Sequence, residues 1–309
     1  MRLSIIITFY EGERFIYKLL SSIRDSYMAS NKRISTEIII VIDSPKTDFL
    51  WIKNVSDSIF ENQGIHIKII KNEKNIGVDR SRDIGTQNAI GTMFTCIDQD
   101  DFVKDTYFTV IERYLNNNVD FFILNGVILN LISKKSVPVY YLMPKVNLNN
   151  FILNNLIISP SFFIIKRKFV LDNNLHFTLP FTDQKGSDDW YFMIQLLLIS
   201  PKAQYMAIKD KIICYCVHEN NYSHRLLEIV NGSIRLLQSI EIKDNRIKRL
   251  IRIKIKSLNF SKLIYSKNKL NVAILNPFEM IKFLCIYCMD INRLIRYIHR
   301  TIVGLKIRE

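Results

Sequence analysis

Asp98, Asp100 and Asp101 stand within four positions, with Gln99 between the first two. Three carboxylates this close repel one another at neutral pH unless a cation or hydrogen-bond donors compensate them. Hard oxygen ligands suit Mg²⁺ or Mn²⁺, and Mg²⁺ characteristically shares its shell with substrate phosphates. Such an ion would neutralise charge on a departing nucleoside diphosphate. Taken alone, the cluster reads equally well as the cap of a following helix, through Asp100 or Asp101. A second acidic pair, Asp188-Asp189, follows Gly186-Ser187 and opens an amphipathic run. Taken alone, that pair reads as a cap of the helix that complements its dipole. Cys285 and Cys288 have the spacing of half a zinc or redox site, but no second pair accompanies them and the stretch around them is apolar. Buried thiols are expected there. His66, His176, His224 and His299 lack partner spacing, so structural or surface roles are expected.

The elements that must position these groups alternate between two periods. Leu3–Phe9 is a β-branched run suited to a strand buried on both faces. Arg14–Asp25 has apolar residues at helical spacing, Glu37–Ile42 is a second strand, and Ile65–Ile70 a third. Arg80–Ile90 reads as a helix and Thr92–Ile97 as a fourth strand, which ends at the Asp cluster. Strands alternating with helices imply βαβ units around a parallel sheet. Ligands bind at the carboxyl edge of such sheets. Strand polarity therefore sends Thr8–Glu11, Asp43 and Asp98–Asp101 to one crevice. Farther on, a helix is expected over Thr106–Leu115, one or two strands over Asp120–Leu131 and a strand over Ser159–Ile165. A helix over Asp188–Ile199 and a strand over Lys211–Val217 follow, and from Leu226 the pattern is helical.

Composition narrows the class. The 309 residues are 48% hydrophobic and 23% charged, enough for a core and unlike a disordered chain. With 9 Gly and 7 Pro, collagen-like, linker-rich and turn-dense all-β readings are disfavoured. The five cysteines, an odd number, fit a reduced cytoplasm, and the first apolar run is too short for a signal peptide. No uninterrupted stretch of roughly 20 apolar residues is present, so no membrane-spanning helix is expected.

Several segments in order resemble family 2 glycosyltransferases, which have the GT-A fold. They are Ser4–Glu11, Val41-Ile42-Asp43-Ser44, Asn75-Ile76-Gly77 with Ser81-Arg82-Asp83-Ile84-Gly85, and Gly91 with Asp98-Gln99-Asp100-Asp101. Gly186–Trp190 and His218–Ser223 complete the set, so the likeness covers about residues 3–225. The resemblance implies an α/β fold of GT-A type, a Rossmann-like mixed sheet flanked by helices that binds a nucleotide-sugar. It implies Thr8, Tyr10, Glu11 and Asp43 around the nucleotide base and ribose, with Gly77 in the adjoining loop. Arg82 falls near the base or phosphates, Asp98 near the ribose or metal, and Asp100 becomes the principal metal ligand. His218 approaches the metal or diphosphate, and Asp189 is the base, with Asp188 the alternative. Three departures stand out: a single acid at Asp43 where many members have two, Asp83 for Asn, and Asp188 for Glu. The implied reaction is inverting transfer of one sugar from a nucleoside-diphosphate-sugar, with UDP the expected nucleotide. The implied acceptor is a lipid-linked saccharide in bacterial surface polysaccharide assembly, such as O-antigen, capsule or lipopolysaccharide. Processive relatives carry a Q-x-x-R-W motif and membrane helices. Neither occurs here.

The charge is lopsided. Residues 1–200 hold 22 Lys and Arg against 21 Asp and Glu, and residues 201–309 hold 21 against 8. The chain thus divides into a glycosyltransferase domain over 1–225 and a basic helical extension over 226–309. Arg246–Lys256 sets Ile247, Leu250, Ile251 and Lys254 on one stripe among basic residues, and Ile291, Leu294, Ile295, Ile298 and Ile302 share a face near the end. Basic amphipathic helices suit an anionic membrane surface, so a peripheral place on the inner face of the cytoplasmic membrane is expected. Nucleic acid is the competing use of the charge, but no motif or aromatic platform supports it. Two other classes remain: a nucleotidyltransferase, which would show a Gly-rich basic loop after the first strand, and a non-catalytic membrane- or nucleic-acid-binding protein on the same scaffold. Retention of Asp43, Asp98, Asp100 and Asp189 argues against the latter.

Overall fold

The structure, a computed structural model, describes residues 2–114, 117–182, 186–219, 221 and 224–266, with 281, 284–286, 292, 294 and 295. In chain order the first elements are β1 (Arg2–Phe9), α1 (Glu13–Met28), β2 (Ser35–Ile42), α2 (Phe49–Phe60), β3 (His66–Lys71), α3 (Val78–Asn88) and β4 (Met93–Asp98). There follow β5 (Phe102–Val103), α4 (Tyr107–Glu112), β6 (Phe121–Asn130), β7 (Ser136–Pro138) and α5 (Leu148–Leu153). A 3-10 turn (Pro160–Phe162), β8 (Phe163–Lys166), α6 (Arg167–Asp172), α7 (Asp188–Ile199), β9 (Tyr205–Val217), α8 (Leu226–Ser239) and α9 (Asn245–Ser266) complete the order.

The strands form one mixed sheet in the order β3-β2-β1-β4-β8-β6-β9-β5, with β7 beside β6. β1 lies parallel between β2 and β4, β2 is parallel to β3, and β8 pairs antiparallel with both β4 and β6. Leu3, Ile5, Ile6 and Ile7 of β1 and Ile38–Ile42 of β2 are fully buried, as central strands covered on both faces require. Helix α1 buries Ile16, Leu19, Leu20 and Ile23 and packs on β5, and α3 packs on β1 and β2. A Cβ at Gly85 would lie 2.3 Å from Cγ2 of Ile6, so only glycine lets that helix reach β1.

Several elements differ from the sequence expectation. α2 was not expected: Phe49, Leu50 and Trp51 are exposed and mask the i, i+4, i+7, i+8 pattern of buried Ile52, Ser56, Ile59 and Phe60. Its cap is Asp48, whose Oδ1 accepts the Leu50 N–H at 2.8 Å. The strand expected from Ser159 begins only at Phe163, because Pro160, with no N–H to donate, instead opens the 3-10 turn. β9 begins at Tyr205, six residues before its expected start, where alternation is too weak to read. The short β5, β7, α5 and α6 carry too few residues for a period.

The chain forms two compact units. The first holds residues 1–139, 158–178 and 202–216, and the second holds 140–157, 179–201 and 217–309. The sheet belongs to the first. In the second, α5 packs on α7 and α9, and α8 packs on α9. The indole Nε1 of Trp190 donates to the Phe151 carbonyl at 2.5 Å, tying α7 to α5. Ile247, Ile251, Lys254 and Leu258 make the buried stripe of α9. Leu250, expected on that stripe, is half-buried. The expected terminal stripe lies largely outside the described residues, as does Cys288. Cys96, Cys214 and Cys216 are buried, whereas Cys285, expected to be buried, is exposed.

Candidate active site

In the first unit, parallel pairing sets Thr8 beside Asp98 and Phe9 beside Ile42. Thr8, Asp43 and Asp98 therefore leave the sheet together at its carboxyl edge. The Asp43 N–H continues the ladder by donating to the Phe9 carbonyl at 2.8 Å. Its buried carboxylate then gathers the loop ahead of α3. Oδ1 accepts from Asn72 Nδ2 and the Ile76 N–H, and Oδ2 from the Gly77 N–H, each at 2.9 Å. Gly77, at φ 99°, holds a backbone conformation that a side chain would strain. Asp43 is thus bound to the Asn75–Gly77 turn, a positioning duty the sequence did not reveal.

Arg82, on α3 and buried, reaches Asp98: Nη2 lies 2.5 Å from Oδ1. The other Asp98 oxygen accepts from Ser159 Oγ at 2.8 Å, and Ser159 Oγ lies 2.9 Å from Ser161 Oγ. Ser161 Oγ donates to Asp101 Oδ2 at 3.3 Å, and Asp101 Oδ1 accepts the Cys216 N–H at 2.8 Å. A continuous polar chain therefore runs from Arg82 through Asp98, two serines and Asp101 to β9. Burial raises the Asp101 pKa well above the ordinary carboxylate range, with Asp100 and Asp98 adding to the effect. Burial pushes the Cys214 thiol up to about 11, away from the reactive thiolate form. Asp83, the departure from Asn, accepts from the Phe177 N–H at 2.7 Å and from the Thr178 N–H and hydroxyl at 2.9 and 2.6 Å.

Whether the residues suit a divalent ion can be judged from these contacts. Both oxygens of Asp98 and of Asp101 face protein donors, and among the described residues no three His, Cys, Asp or Glu side chains form a metal cage. Asp100 is half-buried in the turn between its two neighbours. One carboxylate, completed by waters and substrate phosphates, is the mode Mg²⁺ favours. The donor set fits an ion brought with a diphosphate.

The second unit carries the other acidic pair. Asp188 and Asp189 open α7 after Ser187, which sits in the left-handed region at φ 69° and makes no side-chain cap. Asp188 is buried and Asp189 half-buried. Oδ2 of Asp189 accepts from Asn155 Nδ2 at 3.2 Å, and Oδ1 from the Trp190 N–H at 2.7 Å. His218 follows directly on β9, its N–H donating to Asn221 Oδ1.

The profile of glycosyl transferase family 2 matches residues 4–173, more than half of the chain. The chain belongs to family 2 of the glycosyltransferases. Solved structures similar to this glycosyltransferase include residues 1–349 of TarS from S. aureus, with TM-score 0.61 and 16% identity over 93% of this chain and 80% of that one. The same fragment in complex with UDP-GlcNAc gives TM-score 0.63 and 16% identity over 93% and 79%. Its complex with UDP gives 0.58 and 17% over 89% and 75%. At such identity the likeness establishes the fold, and the mixed sheet flanked by helices is the GT-A fold. A search of curated proteins found no match.

The first unit of the glycosyltransferase brings Thr8, Tyr10, Asp43, Gly77, Arg82 and Asp98 together around one sheet edge, with Glu11 and Asp100 in the flanking turns. Asp188, Asp189 and His218 belong to the second unit. Sequence reasoning missed Asn72, Ser159, Ser161 and Asn155, which orient the acidic groups. Ser-Pro-Ser at 159–161 was the available signal: a hydroxyl on each side of a turn-forming proline.

Proposed function

We propose that this glycosyltransferase moves one sugar from a UDP-sugar to a hydroxyl of a saccharide acceptor with inversion, one addition per encounter. The observation that carries the reading is the carboxyl edge of β1, β2 and β4, where Arg82, Asp98 and the adjoining carboxylates are locked by hydrogen bonds. Thr8, Tyr10, Glu11 and Asp43 serve the nucleoside, with Gly77 and Arg82 beside them. Similarity to the TarS complexes with UDP and UDP-GlcNAc supports a uridine nucleotide. Mg²⁺ or Mn²⁺ on Asp100, with His218 as a further ligand, would offset the charge of the diphosphate leaving group.

Asp189 takes the proton of the acceptor hydroxyl as its oxygen bonds to the anomeric carbon and the bond to the diphosphate breaks. Its two hydrogen bonds fix the carboxylate, whereas Asp188 is buried; this favours Asp189 of the pair. No covalent enzyme intermediate is needed. Asp98 acts through Arg82 and Ser159 to hold the ribose end.

In the same reading the acceptor is lipid-linked, within assembly of bacterial surface polysaccharide, and the protein works at the inner face of the cytoplasmic membrane. Among the described residues no helix is long and apolar enough to cross a membrane. Functionally, residues 1–225 form the transferase domain and 226–309 the basic extension that meets the anionic surface. The test is a screen of nucleotide-sugars for metal-dependent hydrolysis. UDP-sugars are expected to turn over, and Asp100→Ala to lose the metal dependence. Unchanged metal dependence and turnover in Asp100→Ala would remove Asp100 from the site.

A further inference from the structure

Parallel pairing of β1 with β4 ends at Thr8 and Asp98. One residue farther, a side chain takes over. The Tyr10 N–H donates to Gln99 Oε1 at 2.8 Å, and Gln99 Nε2 donates back to the Tyr10 carbonyl at 2.9 Å. A primary amide offers donor and acceptor side by side, so it can close such a ring on one residue's main chain as a neighbouring strand would. Gly12 completes the fit. A Cβ there would lie 2.3, 2.4 and 2.7 Å from Oε1, Cδ and Nε2 of Gln99. Between them Glu11 holds φ 47°, a left-handed conformation that is costly outside glycine and persists when its surroundings determine it. On the far side, the first turn of α1 fixes the Gly12 carbonyl through the N–H groups of Phe15 and Ile16 at 2.9 and 3.2 Å.

We propose that Gln99 is a positioning residue for the donor, latching the Tyr10–Gly12 loop to the Asp98–Asp101 turn so that nucleoside and diphosphate subsites keep a fixed separation. This rests on the donor-site reading above. The Tyr10 side chain stays 46% exposed while its backbone is held at both N–H and C=O. The loop is therefore ordered before the nucleotide arrives, which removes an ordering cost from binding rather than from chemistry. Gln99 stands among three carboxylates, and its residue type alone did not reveal this role. Both ends of the amide bond to the Tyr10 main chain, so the latch acts through geometry and not through substrate contact.

The test uses the full chain with UDP and Mg²⁺, by calorimetry, and donor KM and kcat with an active UDP-sugar. Gln99→Ala is expected to weaken UDP binding and raise donor KM about tenfold, as loss of two hydrogen bonds would, while kcat stays within about threefold. Gln99→Glu keeps the volume and the acceptor for the Tyr10 N–H but loses the donor, and is expected to show the same KM-weighted loss in a folded protein. Gly12→Ala should impair binding in the native background, yet add little to Gln99→Ala, because the obstructing amide is then gone. The latch is refuted if Gln99→Ala and Gln99→Glu bind UDP as the unaltered protein does, or if the Gly12 and Gln99 penalties add. Failure of the unaltered protein to bind UDP would instead overturn the donor-site reading, and the latch with it.

Discussion

Asp101 illustrates how one side chain can be indispensable by shape and unfavourable by charge. It is 2% exposed, its two oxygens meet Cys216 and Ser161, and burial with two neighbouring carboxylates raises its pKa. The sign follows from that direction. The folded state favours the protonated form, so the stability from this group is present below the ordinary carboxylate range and is lost as pH rises through the folded-state pKa. Asp101→Asn retains an acceptor for the Cys216 N–H and gains a donor for Ser161. It is expected to melt at or above the native temperature at pH 8, with a smaller difference between pH 5 and pH 8. Asp101→Ala, which orphans the Cys216 N–H, should lose about 1–3 kcal/mol. A lowered melting temperature for Asp101→Asn at pH 8 would contradict this account. At this scale the sequence shows which residues are acidic and where the family pattern falls, but not who touches whom. Arg82 and Asp98 were each legible, yet their pairing depends on how α3 crosses the sheet. Ser159 and Ser161 reach the cluster only because β8 runs antiparallel beside β4.

Elements were legible in proportion to the length and purity of their period. β1 and β2 are long β-branched runs, β4 is a short run of mostly buried residues, and α1 repeats its apolar residues four times, so their bounds fall within a few residues of expectation. α2 was lost because Phe49, Leu50 and Trp51 face outward. α9 was read correctly as amphipathic, but its apolar stripe packs within the second unit. What it leaves outside is mostly charge: Arg246, Lys248, Arg249, Arg252, Lys256 and Lys262 are exposed beside Ile253, Leu263 and Tyr265, and the helix contains no acid. Membrane contact of α9 would therefore be chiefly electrostatic adsorption, on the order of 1 kcal/mol per basic residue and screened by salt. Co-sedimentation with phosphatidylglycerol vesicles should be strong at low salt, fall steeply by 0.3 M, and drop in Arg246→Glu/Arg249→Glu/Arg252→Glu. Equal binding of native and triple-variant protein would sink the idea.

For the molecule as a whole, two compact units separate the two halves of the proposed chemistry. The donor residues belong to the sheet unit, and Asp189 with its Asn155 and Trp190 partners belongs to the helical unit. The linear motif order gave no hint of this division, because residues 140–157 and 179–201 join the C-terminal helices across long sequence separations. The basic excess after residue 200 was visible by counting alone, as were the near-neutral first 200 residues. Division of labour is also what makes the central claim testable with one substitution. Asp189→Asn preserves volume and one of the two acceptor oxygens but cannot take a proton. UDP binding, measured by calorimetry beside sugar transfer by the same preparation, should be unchanged within about twofold, while transfer falls by roughly two to four orders of magnitude. Transfer at the native rate, or binding lost together with transfer, would contradict Asp189 as the base acting on a donor held elsewhere.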